Sequence, residues 1–214
     1  MPRKNVQLLS GRPLIAYTID AARAAKGVSR VIVSTDDPEI AAEASRAGAE
    51  VPFIRPAELA TDDVSTDVAA RHAIGWLRES EGFSCDGVVI LQPTSPLRPA
   101  SRIDEAIDLL TRTGADSVVS VCAMEHPLEW LRMLDDDGWM RPIPGLPEVK
   151  RRQEAMPVYR LNGAVYATWS RILEEGAFPG RRIRGLVMPR EESIDIDVAA
   201  DFVVAEALMR GARA

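Results

Sequence analysis

The sequence predicts an α/β protein: a doubly wound, mostly parallel sheet of the Rossmann-like kind, covered by helices on both faces. Two observations point there. Short β-branched runs alternate with helical patterns of about 10–15 residues, the signature of parallel βαβ units. A chain of 214 residues with 46% hydrophobic and 27% charged residues has the size and composition for one folded core.

The elements follow in order. Residues 13–26 form an amphipathic helix, with Leu14, Ile15, Thr18, Ala21, Ala22 and Ala25 at helical spacing. Pro13 suits its first position and Gly27 its stop. RVIVS (30–34) is a strand candidate, and residues 35–48 make a helix opened by Asp37 and Pro38 and closed by Gly48. VPFI (51–54) is the next strand candidate, residues 68–77 are helical, and GVVILQ (87–92) is a buried strand. A helix over 101–111 carries Ser101 and Asp104 at capping-box spacing, and DSVVSVC (116–122) is again a strand. The alternation then breaks. MLDDDGWM (133–140) reads as a hairpin on a tight Asp-Gly turn, followed by the Pro/Gly-rich RPIPGLPEVKRRQ (141–153). GAVYATW (163–169) and RIRGLVMP (182–189) return to strands, and 198–210 closes as a helix. Residues 1–214 thus read as one domain with an excursion at about 125–155.

Several classes are excluded. No run approaches 18 uninterrupted apolar residues, so no membrane span is expected, and the first residues lack the apolar stretch of a signal peptide. Cys85 and Cys122 lack metal-site spacing and read as reduced thiols, which places the chain in the cytoplasm. With a net charge of −6 and no Lys/Arg block, nucleic acid is not the expected partner. The absence of GxGxxG argues against a nicotinamide enzyme. His72 sits in an Ala-rich helix without an evident Ser or Cys nucleophile.

Three segments carry candidate chemistry. In LQPTSPLRPASRIDEA a buried strand ends at Gln92 and enters a proline-stiffened, hydroxyl-bearing loop, where open α/β sheets bind ligands. Gln92 and Arg98 there can bond a polar anion, although a plain strand-to-helix turn has the same residues. In EESIDIDVAADF, Asp195 and Asp197 are two apart and point the same way on an extended segment. Paired carboxylates suit Mg²⁺ with substrate phosphates in its shell, while Asp197 equally suits the N-cap of the last helix. In RRQEAMPVYRLNGAVY, Arg151, Arg152, Gln153, Arg160 and Asn162 suit a carboxylate and hydroxyls. Arg55, Ser65 and Thr66 fall on the same ligand side of the sheet. Asp62 and Asp63 read as a cap for the helix that follows.

In their order, PRKN, GRPLIAYTI, VIVSTDD, RPAELA, ILQPTSPLR, RRQ, LNGAVY and IDID resemble the N-acylneuraminate cytidylyltransferases, which make CMP-sialic acid. The resemblance runs nearly end to end. It implies nucleotidyl transfer from CTP to the anomeric hydroxyl of an acidic nine-carbon sugar. Lys4, Asn5, Arg55 and Ser65 or Thr66 would contact the nucleotide; Gln92, Arg152, Gln153, Arg160 and Asn162 would contact the sugar; Asp195 and Asp197 would hold Mg²⁺. The excursion would be a dimerisation segment, giving a homodimer. In that family PRKN follows a first strand and a loop of the form ARGGSKG that would cradle the triphosphate. This sequence starts one residue before PRKN, which leaves open an upstream start, an unfilled place beside the central strands, and a relative that binds without turnover. A synthetase for the eight-carbon sugar acid of lipopolysaccharide is the neighbouring alternative.

Overall fold

The computed structural model describes residues 1, 3–61, 63–147, 151, 153 and 155–211. Its elements run β1 (Leu8–Leu9), β2 (Arg12–Pro13), α1 (Leu14–Ala24), α2 (Pro38–Arg46), α3 (Thr66–Glu81), β3 (Gly87–Ile90), α4 (Ala100–Thr113), β4 (Ser117–Ala123), β5 (Arg132–Leu134), β6 (Met140–Pro142), β7 (Tyr159–Trp169), α5 (Ser170–Glu174), β8 (Ile183–Val187) and α6 (Ala199–Gly211).

Local chemistry explains most boundaries and corrects some. α2 starts as read: the Asp37 carboxylate accepts from the amides of Glu39 and Ile40, and Pro38 follows. Pro13 precedes α1 instead of opening it, because its pairing with Leu8 holds it extended. Ser101 and Asp104 form no capping box; α4 starts after Pro99, and the Asp104 carboxylate accepts from the Gly27 amide at 3.0 Å. VPFI is not a strand. The parallel bridge falls one residue earlier, between Ile32 and Glu50, and Pro52 lacks the amide a ladder needs. The β5–β6 hairpin forms, but over residues 135–139, with Gly138 at φ +85° donating to the Asp135 carbonyl. Ser65, and not Asp63, stands at the N-cap of α3, without a side-chain cap; Asp62 lies outside the described residues.

The central sheet has the order β3-β7-β4-β8. β4 and β8 are parallel, and β7 runs antiparallel to β3 and β4, so three of the four strands share one direction. Alternate residues of β3 face opposite layers. Val89 packs with Ile103, Ala106 and Leu110 of α4 and with Ala22 and Ala25 around α1. Val88 and Ile90 pack with Ile74 of α3 and Leu173 of α5. Helices therefore cover both faces, as a doubly wound sheet requires.

One place in the sheet is open. Residues 31 and 33 pack on Ile15 and Ile19 of α1, and among the described residues the main chain here is paired on one side only, Val33 N to Glu50 O at 2.9 Å and Glu50 N to Val31 O at 2.8 Å. β3 is likewise paired on one side only, to β7. Between them lies a cleft of about 1180 Å³, walled by residues 27–36 and 83–93 and closed above and below by apolar side chains of α1, α3 and α4. RVIVS has a strand's sequence but only a bridge's worth of ladder, because among the described residues only Glu50 pairs with it.

Candidate active site

The site forms where β3 ends. Residues 92–98 leave the strand in a loop whose Thr94, Ser95 and Arg98 are buried. The Arg98 guanidinium, 2% exposed, turns inward and donates Nη1 to the carbonyls of Ala164 (2.8 Å) and Gln92 (3.3 Å). Its Nε and Nη2, and the Ser95 hydroxyl, have no hydrogen-bond partner among the described residues. Burial alone pulls the Arg98 pKa down to about 10. The expectation that Arg98 faces a ligand is corrected: it staples the loop to β7.

The loop also holds the acidic segment, for Thr94 O accepts from Ile196 N at 2.8 Å. Ile196 is wholly buried between Asp195, which is half-buried, and Asp197, which is exposed. Asp195 Oδ1 is buried with no partner. The Tyr166 phenol is held above its ordinary pKa, first by burial and then by the Asp195 charge. Asp197 Oδ1 accepts from Lys4 Nζ at 2.9 Å, and Lys4 also donates to Ile196 O at 3.0 Å. Asp197 does not cap α6. The amides of Asp197 and Val198 both donate to the Asp201 carboxylate at 2.8 Å, which holds that carboxyl below its ordinary pKa.

The open cleft takes in Asn5, next to Lys4 in the chain, and Gln92 and Pro93, just before Thr94. Asn5, Thr35, Asp36, Arg55, Thr66 and Gln92 all line it. Arg55 Nη2 reaches Asp36 Oδ1 at 3.4 Å, and its buried Nε has no partner. Thr66 lines the cleft, whereas Ser65 is not among its lining residues.

The remaining sugar candidates divide. Gln153 is exposed, and Arg160, also exposed, donates to Ser193 O at 3.0 Å. Arg152 lies outside the described residues. Asn162 is 1% exposed and its amide is fully engaged: Oδ1 accepts from Ser120 Oγ (2.6 Å) and Ala164 N (3.2 Å), and Nδ2 donates to Ser193 Oγ (2.9 Å). Its expected contact with a sugar is therefore replaced by a structural role inside the sheet. Sequence reasoning missed Ser95, Gly163 and Tyr166. Only Gly163 carried a signal, since a glycine within a strand marks a bulge or a close approach.

No group of three or more His, Cys, Asp or Glu placed to hold a metal occurs among the described residues. The two aspartates and the unpartnered Asp195 oxygen nevertheless fit Mg²⁺, which commonly takes one or two carboxylates plus substrate phosphates. No helix is long and apolar enough to cross a membrane among the described residues.

A doubly wound sheet whose strand ends gather two carboxylates, a lysine and a hydroxyl-lined cleft is built as nucleotidyltransferases are. The same fold occurs in a CMP:2-keto-3-deoxy-manno-octonic acid synthetase complexed with CTP (TM-score 0.71, 16% identity, 99% of this chain and 93% of that one). It also occurs in a 4-diphosphocytidyl-2C-methyl-D-erythritol synthase from Anaerococcus prevotii (TM-score 0.64, 13% identity, 95% and 88%). The cytidylyltransferase family model matches residues 1–132, and the chain belongs to that family of nucleotidyltransferase enzymes. It is 36% identical to a CMP-N,N'-diacetyllegionaminic acid synthase of Legionella pneumophila, over 98% of this chain and 90% of the relative. It is also 36% identical to an N-acylneuraminate cytidylyltransferase of Escherichia coli, over 94% of this chain but only 47% of that longer protein. A pseudaminic acid cytidylyltransferase of Campylobacter jejuni is 28% identical over 98% and 90%. The end-to-end resemblance read from the sequence is borne out.

Proposed function

We propose that this chain transfers CMP from CTP to the anomeric hydroxyl of an acidic nine-carbon sugar, an N-acylneuraminate or a bacterial relative of it, with release of pyrophosphate. The observation that carries this reading is the buried Asp195 oxygen, unpartnered among the described residues and two residues from an Asp197 that pairs with Lys4, together with a cleft lined by Asn5, Arg55, Thr66 and Gln92.

Nucleotidyl transfer is mainly a matter of positioning and charge neutralisation. Asn5, Arg55 and Thr66 hold the nucleotide in the cleft, with Ser65 at its edge. Lys4 meets the phosphates, exchanging its bond to Asp197 for one to a phosphate oxygen. Gln92, Gln153, Arg160 and Arg152 orient the sugar acid, the arginines by pairing with its carboxylate. Asn162 fixes β7 beneath that site. Asp195 and Asp197 would hold Mg²⁺, which supplies Lewis-acid neutralisation at the phosphates. The sugar oxygen then attacks the α-phosphorus while the bond to pyrophosphate breaks, and the hydroxyl proton leaves to solvent.

A homodimer fits the excursion. Leu134, Trp139 and Met140 on the β5–β6 hairpin and Leu161 at the start of β7 are 65–73% exposed, an apolar surface that suits a second copy.

The test is pyrophosphate release from CTP and MgCl₂ with a panel of acids, N-acetylneuraminate, N,N'-diacetyllegionaminate, pseudaminate and the eight-carbon octulosonate. Turnover with a nine-carbon acid is expected. Turnover with the octulosonate alone would favour the second reading, which the fold match to the octonic acid synthetase supports. CTP and acid binding without turnover would leave a binding protein.

A further inference from the structure

We infer that Gly163 is a positioning residue for the Gln92 carboxamide, and that Gly163 and Arg98 together fix the place from which Gln92 meets the acceptor acid. The inference rests on the reading of Gln92 as a sugar contact. Between Val119↔Tyr166 and Val121↔Leu161, β7 advances further than β4, so the β7 backbone bulges. Gly163 lies in that bulge at φ +71°, a conformation that favours glycine. A Cβ built there would stand 2.6 Å from Gln92 Oε1, 3.4 Å from Gln92 Cδ and 3.9 Å from Ser95 Oγ. The carboxamide thus lies directly on the glycine Cα. From behind, Arg98 holds the Gln92 carbonyl and the Ala164 carbonyl together, so the main chain cannot retreat to make room. With backbone and amide both fixed, a side chain at 163 must push the amide forward into the acid's space.

The test is a double-mutant cycle of Gly163→Ala and Gln92→Ala in the full chain. It is read as thermal midpoint and as affinity for N-acetylneuraminate and for CTP, with MgCl₂ present. Gly163→Ala is expected to weaken acid binding by roughly tenfold or more, since misplacement of a polar group by an ångström is that costly. Its effect on CTP should stay within about threefold, the scatter expected of independent sites. Alanine at positive φ is destabilising by itself, but the share due to the clash disappears once Gln92 is truncated. The double variant should therefore melt above the additive expectation and bind the acid no worse than Gln92→Ala alone. If Gly163→Ala fails to fold, rescue of folding by Gln92→Ala serves the same purpose. Additive effects on midpoint and acid affinity, or no rescue, would overturn the positioning role. Gln92→Ala that leaves acid affinity unchanged, in a cycle whose midpoints still couple, would overturn the sugar-site reading and with it the role in binding.

Discussion

The two halves of the sheet use similar sequences to different effect. VVSV in β4 and VIVS at 31–34 are both short β-branched runs. β4 is flanked by β7 and β8, and its Ser120 hydroxyl bonds Asn162 Oδ1 and Val165 N inside a bulge. Residues 31–34 have Glu50 on one side and the cleft on the other. The difference teaches that β-propensity selects a conformation, whereas the ladder depends on what lies next to it. A buried polar network can be built only in the half where both neighbours are fixed.

The largest effect expected from breaking this contrast is in the closed half. Asn162→Ala leaves the Ser120 and Ser193 hydroxyls and the Ala164 amide short of partners. At about 1–3 kcal/mol for each buried group left unpaired, roughly 3–9 kcal/mol is lost. Urea unfolding of Asn162→Ala beside Ile32→Ala, which removes apolar bulk at the open cleft, should show the first far less stable. Equal losses would mean that the two halves are equally well packed.

At the junction of the halves, Asp197→Asn should lower turnover on the order of a hundredfold, about 2.7 kcal/mol. The melting midpoint should stay nearly unchanged, because the Asp197 carboxylate caps nothing. Loss of midpoint with activity kept would reverse that assignment. Asp201→Ala should do the opposite, costing about 1 kcal/mol of stability through the amides of Val198 and Asp197, just ahead of α6, from which it accepts.

The smallest effect is of pH and salt. Glu50 is held below its ordinary pKa by hydrogen bonding to Arg30, and Asp116 by the amides of Arg182 and Arg181. A carboxyl whose folded pKa is depressed adds stability above its unfolded value, and that stability is lost as pH falls through the folded one. Stability should therefore be flat at neutral pH and fall below the ordinary carboxylate range. Near neutral pH, about 1 M NaCl should weaken the exposed Arg30–Glu50 pair by a few tenths of a kcal/mol and leave the Asp116 contacts nearly unaffected. Equal salt sensitivity of Glu50→Gln and Asp116→Asn variants would erase the distinction.

Much of this was legible in the sequence, for identifiable reasons. Asp37-Pro38 announced α2 because capping is local, and β3, β4 and β8 announced themselves by β-branched runs. The loop after Gln92 was legible from a buried strand running into clustered prolines and hydroxyls. What stayed hidden was long-range. Asp104 looked like a cap but is tied to Gly27, and Asn162 looked like a ligand contact but closes a bulge with Ser120 and Ser193. Arg98 looked outward and is buried. A polar residue in a motif shows that a bond is needed, and only the tertiary partner shows to what.

The open cleft also has a mechanical consequence. In a continuous sheet, tension passes from strand to strand through the ladder bonds. Here that path stops at Ser34 on one side and Val89 on the other, and helices must carry the load. α1 spans the gap like a crossbeam: Ile15 and Ile19 grip the layer behind residues 31 and 33, and Ala22 belongs to the core behind β7. The stiffness of the joint between the two halves is thus shared among helices, α1 being joined by the Arg30–Glu81 ion pair to α3 and the Gly27–Asp104 bond to α4.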